Sequence, residues 1–415
     1  MRIVFLMLLM VFPVWAQFYA VGTASWRGQF AAGSIYALPY EVPFVISVGQ
    51  SLSIGTSGSP ALAPYDTNVT ARTLPSGPIY AAGDLFGNFP NIFEEGNTET
   101  HCSGFGVAVS LASRPILTND PIVTTYGVGS TAYSGLKQGT APYTNSLYAI
   151  ARSKEASTNY FRGFWVPGIV CIHGETDRYS TTYSNDVREW QANYQTDIQA
   201  ATGQTAPVPM FHTQISSWSS PSYNSATSSS PYQLLAAYKA DPTNTVLVGP
   251  KYHLSYVSDK IHLVNTSYRQ LGEMYAKAWH RRVVQGQLWQ PLYPTNISRS
   301  GAQIDLTFAT STNLVLDTTT VSSNANWGFE YYDSTASASI SSVAWVAPSG
   351  SITNTVRVTL STTPSGSNKR IRYAFTGTPS TSLPRGNLRN NDSSFPSPSG
   401  FNLWDWCVHF DEVCP

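Results

Sequence analysis

The sequence predicts an α/β domain built on a mostly parallel sheet, followed by an all-β, sandwich-like domain. Three observations carry this reading. Up to about residue 290, apolar runs of strand length alternate with stretches of helical period, the pattern of βαβ units. Beyond Pro291 the helical period stops, and short alternating segments separated by Ser/Gly/Pro turns take over, as in a β-sandwich. Finally, the apolar runs at 42–48 and 165–172 each end abruptly in a glycine-containing polar cluster. Open α/β sheets hold their ligands beyond such strand ends.

In chain order, residues 1–16 read as a cleaved secretory leader. A basic Arg2 precedes an almost wholly apolar stretch at 3–15, and Val14 and Ala16 are the small or aliphatic residues a signal peptidase reads. The mature chain is then expected to begin near Gln17 and to be secreted or periplasmic. The first domain spans 17–289. Its strand candidates are 42–48, 121–126, 165–172, 208–215 and 245–248. Its helix candidates are 104–113, 143–157, 183–201, 231–240 and 264–284. The last is the clearest, with Leu263, Tyr268, Leu271, Met274, Tyr275 and Ala278 on one stripe and Arg269, Glu273 and Lys277 outside it. The Ser/Thr/Asn-rich loop at 216–230, which carries Trp218 and Tyr223, is long for a compact domain and is of the kind that often has a function. The second domain, 290–415, is expected to form strands at 303–308, 313–316, 343–345, 356–360 and 371–375.

Lys+Arg and Asp+Glu both number 24, so the formal net charge is zero. That argues against an electrostatic grip on nucleic acid or on anionic lipid. No segment after the leader is long and apolar enough to read as a membrane-spanning helix. Charged residues are only 12 % of the chain, and a polar, uncharged, aromatic surface suits hydroxylated partners such as glycans. In an exported chain, cysteines can form disulfides. Cys407 and Cys414 are expected to pair. Cys102 and Cys171 either pair or act as small buried hydrophobes. No Cys/His spacing resembles a zinc site.

The chemistry is expected at Gly49-Gln50-Ser51, at the end of the first strand. Serine alone is a poor nucleophile and needs a base and an oxyanion site. Downstream, Asp259 and His262 stand three residues apart, so the carboxylate can fold back onto one imidazole nitrogen while the other faces the serine. The plainer reading makes Asp259 a helix cap and His262 a surface residue. Between the two lies Ile172-His173-Gly174-Glu175-Thr176-Asp177, again closing an apolar run. Three strand-end motifs in this order favour a serine hydrolase.

Together with Gly127-Val128-Gly129-Ser130-Thr131, these blocks resemble the SGNH (GDSL-like) hydrolase superfamily, and more narrowly its sialate O-acetylesterase-like carbohydrate esterases. The resemblance covers roughly residues 42–285. It implies a three-layer α/β/α, flavodoxin-like domain and an O-acetylated glycan as substrate, with neither metal nor cofactor. It makes Ser51 the nucleophile, His262 the base and Asp259 its orienting partner. The amides of Ser51 and Gly129 become oxyanion donors, with Gly127 as the alternative glycine. His173 stands where the family places a glutamine and would either supply the third donor or only support the loop through Glu175 or Asp177. Gln50, Gly174, Glu175 and Asp177 become supporting residues. His212 and His253 receive no role. The competing expectations are an esterase or lipase for aliphatic esters, and a glycan-binding protein that retains a vestigial hydrolase fold.

Overall fold

The computed structural model describes residues 41–65, 71–80, 99–113, 116–117, 119–159, 163–348 and 350–415. The expected leader lies outside the described residues. The first part runs β1 (Glu41–Gly49), a 3-10 turn (Ser51–Ile54), α1 (His101–Ser113), β2 (Ile122–Gly127), α2 (Ala141–Asn159), β3 (Gly163–Trp165), β4 (Ile169–Ile172), α3 (Tyr183–Thr202), β5 (Met210–Thr213), α4 (Ser230–Ala240), β6 (Thr245–Gly249) and α5 (Asn265–Trp279). The sheet order is β2-β1-β4-β5-β6, with β3 also pairing to β1. Every one of these pairings is parallel.

Two apolar clusters cover the two faces of the sheet. On one face, Val45, Val123, Val170 and Phe211 pack under α1 and α5 through Phe105, Leu271 and Tyr275. On the other, Phe44, Ile46, Ile169 and Met210 pack under α2 and α3 through Ile150, Trp190 and Ile198. A parallel strand buried on both faces reads as a continuous apolar run, which is why β1 was legible. Each fully buried side chain of this kind stabilises the fold by roughly 1.5–3 kcal/mol.

The expected strand 165–172 is split. Pro167 has no amide for the ladder, and β3 and β4 flank Pro167-Gly168. The expected helix 264–284 is α-helical only to Trp279 and continues as a π-turn, His280–Val284. The wider turn brings Arg282 to the Thr243 carbonyl while Val283 and Val284 stay buried.

The C-terminal part is antiparallel: β7 (Pro294–Ser300), β8 (Gln303–Phe308), β9 (Leu314–Leu316), β10 (Phe329–Tyr332), β11 (Ile340–Trp345), β12 (Thr355–Leu360), β13 (Arg370–Tyr373), β14 (Leu388–Asn390) and β15 (Phe410–Val413). The sheet orders are β11-β12-β8-β7, β10-β13-β15 and β14-β9. One apolar cluster runs across residue 290, joining Leu234, Tyr238 and Tyr252 to Ile304, Tyr373 and Phe410.

The expected Cys407–Cys414 disulfide does not form, and of the two readings left open for Cys102 and Cys171, that of small buried hydrophobes holds: Cys171, Cys407 and Cys414 are buried thiols. Cys171 lies in the apolar cluster on one sheet face and Cys102 in the cluster on the other, so the sheet separates them. Strand β15 lies between Cys407 and Cys414. At about 3.4 Å per extended residue, such a strand carries two cysteines beyond the roughly 7 Å Cα separation a disulfide tolerates.

Candidate active site

Strand order makes the site. From β1 the chain reaches β2 on one side and β4 on the other, so a crevice opens beyond the carboxyl ends of these strands. The ends of β1, β2, β4 and β6 deliver Gln50, Val128, His173 and Pro250 to that edge.

β1 ends at Gly49, where a Cβ would stand 2.1 Å from the Ile172 carbonyl oxygen. Only glycine allows the two strands to approach this closely. The Gln50 amide then donates to the same carbonyl at 3.2 Å. Gln50 is buried, and its Oε1 accepts the Thr176 amide at 3.4 Å. Its carbonyl takes both the Ser53 amide (2.9 Å) and the Ser53 hydroxyl (2.7 Å). These bonds fix the 3-10 turn of which Ser51 is the first residue.

Ser51 Oγ lies 2.8 Å from His262 Nε2, and His262 Nδ1 lies 2.6 Å from Asp259 Oδ2. The other oxygen, Asp259 Oδ1, accepts the amides of Ile261 (2.7 Å) and His262 (2.9 Å). The loop is closed by Lys260 N to Val257 O and by Val257 N to His262 O, with Lys260 at a left-handed φ of 56°. Asp259 therefore caps its own turn and is not the cap of α5, which begins at Asn265. Burial pushes the Asp259 carboxyl up. The hydrogen bonds from the imidazole and the two amides outweigh it, leaving the group below its ordinary value.

The two glycines of the second block differ. A Cβ on Gly127 would collide with Ser53 Oγ at 2.0 Å, so Gly127 packs beneath the serine turn. A Cβ on Gly129 would meet only Ser51 Cβ, at 3.9 Å. Gly129 is thus the glycine that faces Ser51.

Of the two readings of His173, the geometry favours loop support over the oxyanion donor. Its Nε2 lies 3.0 Å from the Thr131 carbonyl oxygen and its Nδ1 lies 2.7 Å from the Tyr183 hydroxyl. A carbonyl can only accept, so Nε2 carries the proton and Nδ1 accepts from tyrosine. Burial lowers the ring's pKa, with Asp177 opposing, in keeping with a neutral imidazole. Both nitrogens are engaged, and no N–H is left for an oxyanion. The ring instead ties the 129–131 loop to α3, and Asp177 Oδ2 holds the same region through the Tyr133 amide at 2.8 Å.

Beneath the third block, Glu175 Oε1 meets Lys251 Nζ at 2.8 Å, with both side chains buried. Lys251 was missed in the sequence. Its signal was a lysine three residues after the apolar run 245–248, another strand end. Gly174 accepts a bond from the Ser230 hydroxyl at 3.2 Å. His212 sits inside β5, and His253 stacks on Trp406 with ring centroids 5.0 Å apart. Burial lowers both to about 3, so they are neutral core residues. Among the described residues no group of three or more His, Cys, Asp or Glu is placed to hold a metal ion, and no helix is long and apolar enough to cross a membrane.

A family model described as carbohydrate esterase, sialic acid-specific acetylesterase, matches residues 44–281, more than half of the chain. No curated protein matches. Among solved structures, a carbohydrate acetylesterase from Xanthomonas citri is similar with a TM-score of 0.54 and 14 % identity, over 89 % of this chain and 80 % of that one. A protein from Arabidopsis thaliana aligns with a TM-score of 0.41 and 16 % identity, over 58 % and 98 %. Est24, a carbohydrate acetylesterase from Sinorhizobium meliloti, aligns with a TM-score of 0.32 and 14 % identity, over 57 % and 97 %.

Proposed function

The chain belongs to the carbohydrate esterase family of sialic acid-specific acetylesterases, and from that premise we propose a serine esterase that removes O-acetyl groups from a carbohydrate through an acyl-enzyme on Ser51. The observation that carries this reading is the continuous hydrogen-bonded line from Ser51 through His262 to Asp259 at the crevice of the sheet.

The chemistry follows from the positions. His262 Nε2 takes the Ser51 hydroxyl proton as Oγ bonds to the ester carbonyl carbon. Asp259 holds the Nδ1 proton and stabilises the imidazolium that forms. The carbonyl oxygen becomes an oxyanion, for which the amides of Ser51 and Gly129 are the donors. The ester C–O bond then breaks, and the departing sugar oxygen takes the proton from His262. Water repeats the cycle on the acetyl-serine, releasing acetate and restoring the hydroxyl. His173, Asp177 and Gln50 position the loops around this centre. The basic start, the apolar stretch at 3–15 and Ala16 support export of the mature protein.

The test is acetate release from O-acetylated sialic acids and polysaccharides, with 4-nitrophenyl esters of increasing acyl length alongside. Acetyl preference is expected, together with a loss of turnover on the order of 10⁶ in Ser51→Ala. Long-chain preference would make the protein a lipase. A folded protein with no turnover on any ester would make it a binding protein.

A further inference from the structure

The turn that carries Asp259 and His262 is not held by the α/β part alone. Lys260 stands at its tip, between the Asp259 carboxylate and the Ile261 amide, which donates to that carboxylate at 2.7 Å. Lys260 has a left-handed φ of 56°, a conformation that glycine or asparagine takes at less cost. Its ammonium forms no ion pair among the described residues. It donates instead to the main-chain carbonyl of Thr381 at 2.5 Å, 121 residues away in the β-rich part. A cationic donor makes a stronger bond to a carbonyl than a neutral one does.

Thr381 belongs to a tight turn between β13 and β14. Thr378 and Ser382 exchange main-chain bonds at 2.9 Å each, and the Thr381 amide donates to the Thr378 carbonyl at 2.9 Å. This turn is fixed from two sides. On the β side, the Thr376 amide and hydroxyl donate to the Glu330 carboxylate of β10 at 2.8 and 2.6 Å. On the other side, three bonds tie it to the long 216–230 loop. The Gly377 amide donates to the Ala226 carbonyl at 2.9 Å. The Ser219 hydroxyl donates to the Ser382 carbonyl at 2.8 Å, and the Ser380 hydroxyl to Asn224 Oδ1 at 2.8 Å. The approach needs a glycine at 377, where a Cβ would stand 2.3 Å from Ser219 Oγ. The turn is therefore a fixed point beside the catalytic turn, and Lys260 reaches it.

Taking the esterase reading above as its basis, we propose that Lys260 is a positioning residue. It clamps the Asp259–His262 turn to the Thr378–Ser382 turn, so that the β-rich part sets the place of the catalytic imidazole without supplying a catalytic residue. Placement of this kind acts on turnover: a displacement of about 1 Å costs on the order of 10²-fold. If Lys260 only filled a turn, glycine would serve better there, because it relieves the left-handed φ.

The experiment measures kcat and KM on 4-nitrophenyl acetate, and the rate at which phenylmethylsulfonyl fluoride inactivates Ser51, for the full chain and for Lys260→Met, Lys260→Gly and Lys260→Arg. Both probes are small, so neither depends on contacts to a sugar. Lys260→Met and Lys260→Gly are expected to lower kcat and the inactivation rate together, about tenfold, with KM and melting temperature little changed. Lys260→Arg is expected to restore most of the rate, because it keeps a cationic donor. Gly377→Ala pushes the second turn off its anchor. It is expected to lower kcat by a similar factor by itself and to add little to Lys260→Met, where the clamp is already broken. Should Gly377→Ala not fold, Ser219→Ala takes its place by removing the bond to Ser382. A wild-type kcat in Lys260→Met, full activity with a raised melting temperature in Lys260→Gly, or losses that multiply in the double variant would overturn the proposal. Failure of the esterase reading looks different: Ser51→Ala would keep its activity, whatever the Lys260 variants do.

Discussion

At the residue scale, His173 and Asp259 make opposite demands. His173 serves through what it holds. His173→Ala would leave the buried Tyr183 hydroxyl without this partner, at about 1–3 kcal/mol, and would free the part-buried Thr131 carbonyl at a smaller cost. Activity and melting temperature are therefore expected to fall together, and Tyr183→Phe is expected to reproduce part of the loss. If His173→Ala lowered kcat at an unchanged melting temperature while Tyr183→Phe did nothing, His173 would be a direct oxyanion donor after all. Asp259 is held below its ordinary value, so it stays ionised as pH falls through the range where free imidazoles protonate, near 6.5. Its contribution to stability is present above the ordinary carboxylate range and is lost only as pH falls through its lowered value. Only a neutral imidazole accepts the serine proton. The acid limb of kcat/KM is thus expected to carry the slope of one proton. A flat profile from pH 5 to 7.5, or a slope of two, would count against a histidine base oriented by an ionised Asp259.

At the element scale, the site is an edge where loops after β1, β2, β4 and β6 must keep register. The Lys251–Glu175 pair joins the loop after β6 to the loop after β4. Removing one partner of a buried pair leaves a stranded charge, at about 3–5 kcal/mol. Lys251→Met is expected to destabilise by that order in a denaturant titration, and adding Glu175→Gln is expected to recover much of it. A single variant as stable as wild type would mean the pair is solvated. The strands were legible because an apolar run flanked by turn residues reads the same wherever it lies. The break at Pro167-Gly168 was overlooked within one such run, and the π-turn after Trp279 was not visible because its residues continue the helical pattern.

At the scale of the whole molecule, the β-rich part is fastened to the α/β part by buried polar bonds as well as apolar packing. Gln214, just past β5, donates to the His409 carbonyl at 2.9 Å and accepts the His409 amide at 2.8 Å. His409, with His101, His212 and His253, is held at about 3 by burial. Between that value and about 6.5 the unfolded chain binds these protons and the folded chain does not. Stability is therefore full above 6.5 and falls as pH is lowered, by up to about 1.4 kcal/mol per pH unit for each histidine. With total stabilities of about 5–15 kcal/mol being usual, acid unfolding is expected within a few pH units below 6.5. A melting temperature constant from pH 7 to 4.5 would show that these rings are not buried neutral.

The sequence by itself determined the α/β class, the switch to β-structure near residue 290, and the four blocks whose resemblance named the family. These are local patterns: apolar periodicity, glycine at strand ends, and residues a few positions apart such as Asp259 and His262. What only the tertiary structure decided is pairing between distant segments. The 211 residues from Ser51 to His262 close to 2.8 Å because the loops after β1 and β6 leave the same, carboxyl edge of one parallel sheet, and no periodicity encodes that distance. The same holds for the carbonyl and the hydroxyl that claim the two nitrogens of His173, for the lysine that meets Glu175, and for the sheet that stands between Cys102 and Cys171. A residue's type fixes what it can bond. Which partner reaches it first is fixed by the fold.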